Sequence, residues 1–496
     1  MKKILFFGYI LFSQQSFAQQ TRLDSLLNQL KNHSKEDTVK LNLLNKIAFE
    51  YTDTHPEQAI STADMAIALA QKLNNPVMLA AAFNNKGAAF DLKEEDSTAL
   101  YFYTKALQLY KQTNRKMEIA NLMHNSGIIY QRSDVLKALQ LHQSALQIFL
   151  ELNDKERIAT EYRTIGVDYN YLSNYPRALE YLQKGLKIFD LSGNKLGMGT
   201  VYANMGITYT YLNDYPKAMM YHKSAITLYE EINYEKGLAD ELGNLGNVYD
   251  DMDDSAMALQ SYRKALALSK KLNNKKGEGS NLVNIGILYN YYANYSKAFQ
   301  YLSDALNVYK QLRFKEGISL CLSKLATIYR DAPGKFLTDL GVNSKDRYLK
   351  VLQYQKRALA LSGETGSVMR QAFGWENLSE TYKKQNDFRN AFYAFEKSVA
   401  FKDSAINAKK SKEITQMEMR YEFNKKEDSV KTTNEKKQVL AAAAVKQEKT
   451  KKNFMSILRS RWKSGYSTKR SPPPKWCDSK VTKKPACSTR KNCVLS

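Results

Sequence analysis

The sequence predicts an all-α solenoid. Three observations lead there: a fixed spacing of small residues, an aromatic at a constant offset from each, and two helical patterns in every period. Ala48, Gly87, Gly127, Gly166, Gly206, Gly246, Gly286 and Ala326 stand 39, 40, 39, 40, 40, 40 and 40 residues apart, and Ser379 follows after 53. Tyr51, Phe90, Tyr130, Tyr169, Tyr209, Tyr249, Tyr289, Tyr329 and Tyr382 each lie three residues further on. A period of this size marks a stacked array in which each unit buries its apolar face against its neighbours.

Each period divides into a first and a second helix. Asp214 reads as the cap of a second helix, with Pro216 in its first turn, where a missing N–H does little harm. Asn294 opens another such helix. Twelve residues separate the small residue of the first helix from an Ala in the second: Gly87 to Ala99, Gly166 to Ala178, Gly206 to Ala218, Gly246 to Ala258 and Gly286 to Ala298. Ala106, Gly185, Ala225, Ala265 and Ala305 come seven residues later, nearly two turns, and so lie on the same face. Small residues on facing helices let the two backbones approach closely.

The run Leu245-Gly246-Asn247-Val248-Tyr249, with Ala258 and Ala265, resembles a tetratricopeptide repeat. The usual unit is about 34 residues, so the longer period is similar to that of kinesin light chain and related peptide-binding arrays. HEAT and armadillo units have a similar length but lack the Gly-x-x-Tyr and spaced Ala signals. The resemblance covers residues 35–401, about nine units. It implies a right-handed superhelix whose first helices line an inner groove, and it names no ligand.

The ends of the chain read differently. Lys2 and Lys3, the apolar run Ile4 to Phe12 and the small residues of Ser16-Phe17-Ala18 predict a secretory signal peptide over residues 1–18. The protein is therefore expected to be exported to the periplasm. Leu23, Leu26, Leu27 and Leu30 form an i, i+3, i+4, i+7 stripe, expected to be a capping helix within 19–34. Residues 402–452 contain no Pro or Gly and are rich in helix formers, which predicts a long exposed helix or weak coiled coil with self-association through it. Glu413 to Glu427, with Ile414, Met417 and Tyr421, resembles the membrane-approach helix of Bacteroidetes sensor histidine kinases that carry an exported tetratricopeptide array. That resemblance implies a transmembrane span and a cytoplasmic output domain downstream. The chain departs from it after Met455: the tail 453–496 is basic and Pro- and Ser-rich. It reads either as an out-of-frame translation that lost the span, the only route to a membrane partner, or as a disordered tail.

Charge and cysteines exclude other classes. The net charge is +24, yet residues 1–400 hold 49 basic and 41 acidic side chains, while 451–496 hold 13 basic residues and one acid. Half of the basic excess lies in that tail, and the rest is thinly spread over a chain with an export signal, which argues against nucleic acid as a partner. Cys321 fits a first-helix core position, and Cys477, Cys487 and Cys493 match no zinc spacing. No metal or cofactor is expected. The five histidines, His33, His55, His124, His142 and His222, show no clustering in sequence. Gly193, Gly197 and Gly199 follow no strand and read as a helix junction, not a phosphate loop. No catalytic constellation emerges, so an enzyme is not expected.

A ligand is expected on the first helices. At 100° per residue, the positions two before and five after the anchor share a face opposite it. The earlier position holds Asn85, Asn125, Thr164, Asn204, Asn244, Asn284, Lys324 and Asn377; the later holds Tyr171, Tyr211 and Tyr291, with Leu92, Arg132, Asp251, Asp331 and Lys384 elsewhere. Asn pairs a donor with an acceptor, as an extended peptide backbone requires, and Tyr adds a half-polar contact surface. The competing reading is that these Asn residues hold neighbouring helices in register. An insertion near 331–346, around Pro333, Gly334 and Gly341, reads as a short helix over the groove or a tolerated loop. The sequence thus predicts a non-catalytic module that binds a protein or peptide in the periplasm, as the sensory half of a membrane signal transducer or as a free-standing scaffold.

Overall fold

The computed structural model describes residues 22–52, 54–343, 346–404 and 456. The expectations for 1–18, for 405–452 and, but for residue 456, for the tail 453–496 lie outside them. Among the described residues all regular structure is helical. Helix α1 covers residues 22–32. Nine helix pairs follow: α2 (Thr38–Thr52) with α3 (Pro56–Lys72), α4 (Pro76–Leu92) with α5 (Asp96–Gln112), α6 (Lys116–Tyr130) with α7 (Val135–Leu152), α8 (Lys155–Tyr171) with α9 (Tyr175–Ser192), and α10 (Lys195–Tyr211) with α11 (Tyr215–Glu231). The series continues with α12 (Glu235–Asp251) and α13 (Ser255–Lys271), then α14 (Lys275–Tyr291) and α15 (Tyr295–Gln311). Next come α16 (Lys315–Asp331) and α18 (Asp346–Glu364), with the short α17 (Gly334–Asp339) between them, and finally α19 (Val368–Lys384) with a helix over 388–404, α20.

One turn recurs at every junction from α8 to α16. Ser173, Gly193, Asn213, Asn233, Asp253, Asn273, Ala293 and Arg313 all have positive φ, at intervals of 20 residues. Over these repeats the turns within and between pairs are therefore the same, and the 40-residue period is two equal halves. At Asn213 the local bonding is explicit. Its N–H donates to the Thr210 carbonyl at 3.0 Å, and the Asp214 N–H donates to the Tyr209 carbonyl at 3.0 Å. This closes the end of α10 as left-handed helix caps do. The Asp214 carboxylate then accepts from the Lys217 N–H at the start of α11. Asn174, Asn194, Asp254, Asn274 and Asn294 cap their helices in the same way. Gly193 is one of these turn residues, and Gly197 and Gly199 lie in α10 beneath the rings of Phe189 and Tyr229.

The anchor residues mark tight crossings. A Cβ on Gly87, Gly206 or Gly246 would sit 2.6 Å from the ring of Tyr103, His222 or Tyr262, and one on Gly166 or Gly286 would sit 2.8 Å from Leu182 or Leu302. Each of these partners stands on the second helix of the same pair. Ala99, Ala178, Ala218, Ala258 and Ala298 are fully buried across the crossing. The next pair then covers the remaining face: Leu302, Leu306 and Tyr309 of α15 pack with Leu322, Leu325 and Ala326 of α16. Cys321 belongs to that core, and burial pushes its thiol up to about 12. At the other end Leu23 and Leu26 of α1 are buried on Leu43 and Ile47 of α2.

The insertion packs on α15 and into the core shared with α16. Phe336 of α17 packs near the rings of Tyr295 and Phe299 on α15. Arg347 donates to the carbonyls of Tyr329, Arg330 and Ala332, at 2.9, 2.5 and 2.8 Å, and so satisfies the end of α16. Extra chain is tolerated because it seats on one second helix and caps the next first helix.

Gly246→Leu is expected to lower the chemical-denaturation midpoint, at a cost of about 1–3 kcal/mol for forcing a side chain into a filled crossing. Gly243→Ala in the same helix is the control. Its Cβ would meet Asn281 at 3.5 Å, an ordinary contact, so its midpoint should hold or rise. Equal midpoints for the two variants would show that the anchor crossing has slack.

Candidate binding groove

Successive first helices touch one another along the array: α2 with α4, α8 with α10, α10 with α12, α12 with α14 and α14 with α16. Successive second helices make no approach of that extent. The first helices therefore form the narrower, inner side, and their free faces line it.

The Asn positions behave differently from one repeat to the next. Asn85 is 6% exposed and donates to the Asn45 carbonyl at 2.9 Å, while Asn45 donates to the Met78 carbonyl at 3.1 Å. Those two bonds stitch α2 to α4. Asn244 is half-buried and donates to Glu241 Oε1 at 2.9 Å. Asn204 donates to the Thr200 carbonyl of its own helix at 2.7 Å. Asn284 donates to Asn247 Oδ1 at 3.2 Å, and that oxygen also accepts from the Tyr262 hydroxyl. Asn125 and Asn377 are half-buried. Thr164 is 2% exposed, and Lys324 is half-buried.

The Tyr positions are open. Tyr171, Tyr211 and Tyr291 are 56%, 57% and 75% exposed. Tyr211 stacks on Tyr175 with centroids 5.8 Å apart, and Tyr291 meets the neighbouring Tyr292 edge-on at 5.2 Å. Three of the charged residues at the equivalent position, Arg132, Asp331 and Lys384, are paired. Arg132 bridges Asp91 and Asp96 at 2.5 and 2.7 Å, and Lys384 meets Asp331 at 2.9 Å.

A buried ionic network escaped the sequence reading. His124 and His142 were expected to stand apart, but antiparallel α6 and α7 bring their rings to 5.5 Å. His142, fully buried under Gly127, holds Asp168 Oδ2 of α8 through Nδ1 at 2.6 Å, and Gln131 donates to the other carboxylate oxygen. His124 lies 2.6 Å from Glu161, and His222 lies 2.7 Å from Glu241. The histidines occupy no common position relative to the carboxylates, so no periodic signal announces them. Burial works against a charged His142, but the hydrogen bond and charge of Asp168 outweigh it and hold its pKa above the ordinary value. Burial likewise raises the Asp168 carboxyl, against the lowering effect of His142 and Gln131. Both shifts favour keeping the shared proton in the folded state.

The array also meets itself. Glu94, in the turn after α4, lies 3.4 Å from Lys276 at the start of α14, 182 residues on. Lys276 sits 4.9 Å over the ring of Phe314. Asp91, Leu92, Asp96 and Arg132 face Phe314 and Glu316 across a space of about 560 Å³.

Paired helices with small-residue crossings, stacked in series, define an α-solenoid repeat protein. The tetratricopeptide repeat model matches residues 118–190, 158–231 and 239–311. Residues 118–231 and 239–311 therefore carry tetratricopeptide repeats, and paired helices continue on either side of them. No curated protein sequence matches it. Among solved structures, BtubC (BKLC) from P. vanneervenii is 21% identical, with 45% of this chain and 93% of that one covered and a TM-score of 0.39. A signal-transduction ATPase with numerous domains and a tetratricopeptide repeat sensor, from Pyrococcus horikoshii, is 16% identical, with coverage of 71% and 55% and a TM-score of 0.49. A Rap protein complexed with competence and sporulation factor is 12% identical, with coverage of 75% and 99% and a TM-score of 0.48. Among the described residues no helix is long and apolar enough to cross a membrane.

The His142–Asp168 pair sets a pH dependence. A group whose folded pKa is raised stabilises fully below its unfolded value and loses that contribution as pH rises through the folded one. The His142 contribution should therefore be complete below about pH 6.5 and decline above it. Urea midpoints followed upward from that pH should fall more steeply for the native chain than for His142→Gln/Asp168→Asn. Parallel profiles would mean the pair gives up its proton as readily folded as unfolded.

Proposed function

We propose that the array is a non-catalytic module that binds a protein or peptide as an extended chain along the inner face of its first helices. The observation that carries this reading is the line of half-buried Asn side chains ending in exposed Tyr. Asn204, Asn244 and Asn284 each use their amide N–H on a neighbour, and no partner takes their Oδ1 among the described residues. Those oxygens are acceptors for backbone N–H groups, while Tyr171, Tyr211 and Tyr291 supply contact area. Asn85 serves the stitching of α2 to α4 instead and is left out of the proposed groove. Asn125 and Asn377 extend the same face at its two ends.

Export and a sensory role complete the proposal. Residues 1–18 support secretion to the periplasm, and the likeness of 413–427 to the approach helix of sensor kinases supports membrane signalling. N-terminal sequencing of protein from a native-like host should give a mature start near Gln19. Recovery of intact Met1 from the cytoplasm would remove both.

The groove is tested by enriching a displayed library of random ten-residue peptides on the full chain. Asn204→Ala/Asn284→Ala should bind the enriched peptides at least about tenfold more weakly, since two hydrogen bonds worth about 0.5–1.5 kcal/mol each are lost. Melting temperature should move little, because neither side chain bridges a fully buried pair. Undiminished binding by this variant, or no enrichment on the native chain, would reject the groove.

A further inference from the structure

The two ends of the described array are finished differently. At the first pair, α1 lays Leu23 and Leu26 over Leu43 and Ile47 of α2. At the last pair, α20 buries Ala391 and Ala394 but leaves a row of large apolar side chains in the open. Phe388, Phe392 and Phe395 are 68%, 62% and 51% exposed, and Val399 continues the row. The four stand at i, i+4, i+7 and i+11 and so form one stripe along the helix.

The interior repeats show what such a stripe is for. Ala391 comes twelve residues after Ser379, as Ala298 comes twelve after Gly286. By that register Phe395 and Val399 match Leu302 and Leu306 of α15. Those two are buried in the core shared with Leu322 and Leu325 of the following helix, α16. Helix α20 therefore presents a helix-binding stripe that carries no helix among the described residues.

The charges beside the stripe decide which helix fits. At 100° per residue the four apolar side chains fall within about 60° of arc, and Arg389 and Glu396 both flank that arc on the side away from Ala391. Other cations of α20 are engaged, Lys397 over the ring of Tyr393 at 5.5 Å and Lys402 with Glu376 at 2.8 Å. Arg389 and Glu396 hold no counter-ion among the described residues. They are opposite in sign and two turns apart. A second α20 laid antiparallel on the first, with Phe392 against Phe395 of the copy, brings Phe388 to Val399. The same register sets Arg389 of each chain opposite Glu396 of the other. The pattern is its own complement, as a two-fold interface requires.

We propose that the exposed stripe of α20 seats a second copy of this chain, through an antiparallel two-fold pairing of the two α20 helices. Phe388, Phe392, Phe395 and Val399 fill the seam, and Arg389 and Glu396 of opposite chains bridge its edge. The second α20 takes the place that the next first helix holds in the interior. Burial of the aromatic seam supplies the attraction, while the edge pairs fix orientation and register. The pairing does not depend on the groove reading.

The test follows the mass of the full chain by sedimentation velocity over a range of concentrations. The native chain should be a dimer that dissociates on dilution. Phe392→Asp should weaken it at least about a hundredfold, since the two-fold removes a buried aromatic twice. Its melting, compared at a dilution where both proteins are monomers, should be unchanged, because the side chain is exposed within one chain. Arg389→Glu and Glu396→Arg should each weaken the dimer about tenfold, because like charges then face each other at both edges. Mixed in equal amounts, these two variants should pair with each other at native strength, since every edge contact is again of opposite sign. Arg389→Glu/Glu396→Arg in one chain should also dimerise at native strength. A chain that stays monomeric at every concentration would overturn the proposal and leave the stripe to another segment of the chain or to a different protein. A dimer untouched by Phe392→Asp would overturn it by placing self-association elsewhere. Charge reversals that weaken the dimer without rescuing each other would overturn the antiparallel register.

Discussion

Everything in this array depends on a small residue, most often glycine, at one point per repeat. Beneath Gly87, Gly166, Gly206, Gly246 and Gly286 the space a Cβ would need is taken by a ring or a branched side chain of the partner helix. That contact sets how near the two helices come, and the nearness lets fully buried alanines complete the crossing. Where the glycine recurs, successive pairs stack alike, and the first helices from α8 to α16 stay in contact with one another. A single enlarged anchor would disturb its own pair and the stacking of the next, while distant repeats would keep their contacts.

The fold was legible because this constraint writes itself into the sequence at fixed spacing. The anchor at Gly246 and the aromatic at Tyr249 are visible without knowing any contact. The cause of the period was less visible. The left-handed turn falls on Asn213, Asn233 and Asn273, but also on Ala293 and Arg313, which no turn rule would select. The stacking geometry demands that conformation, and a residue with no aptitude for it complies because the helices on both sides hold it there. The inner face was legible as a direction, since rotation about the helix axis fixes which side chains share it. Whether a side chain there is free or spent was not. Asn85 and Asn204 hold the same position, yet one is committed to a neighbouring backbone and the other bonds only its own helix.

The buried histidines show the limit most clearly. His142 finds Asp168 and His222 finds Glu241, each across the junction to the following repeat. The first carboxylate lies two residues after its anchor and the second five before. A pairing reached from two registers leaves no period to detect, and it becomes visible only when the helices are placed. Such pairs also make the junctions unequal. Those after α7 and α11 contain ionisable groups, whereas the one after α15 is apolar.

The meeting of Glu94 with Lys276 gives the groove a topology as well as a surface. Between the second and seventh repeats the ribbon comes round to its own edge, where an exposed ion pair joins the two. A chain lying along the first helices would pass beside that contact. Parting the two edges would widen its path, and salt, which screens an exposed pair, would make that parting easier.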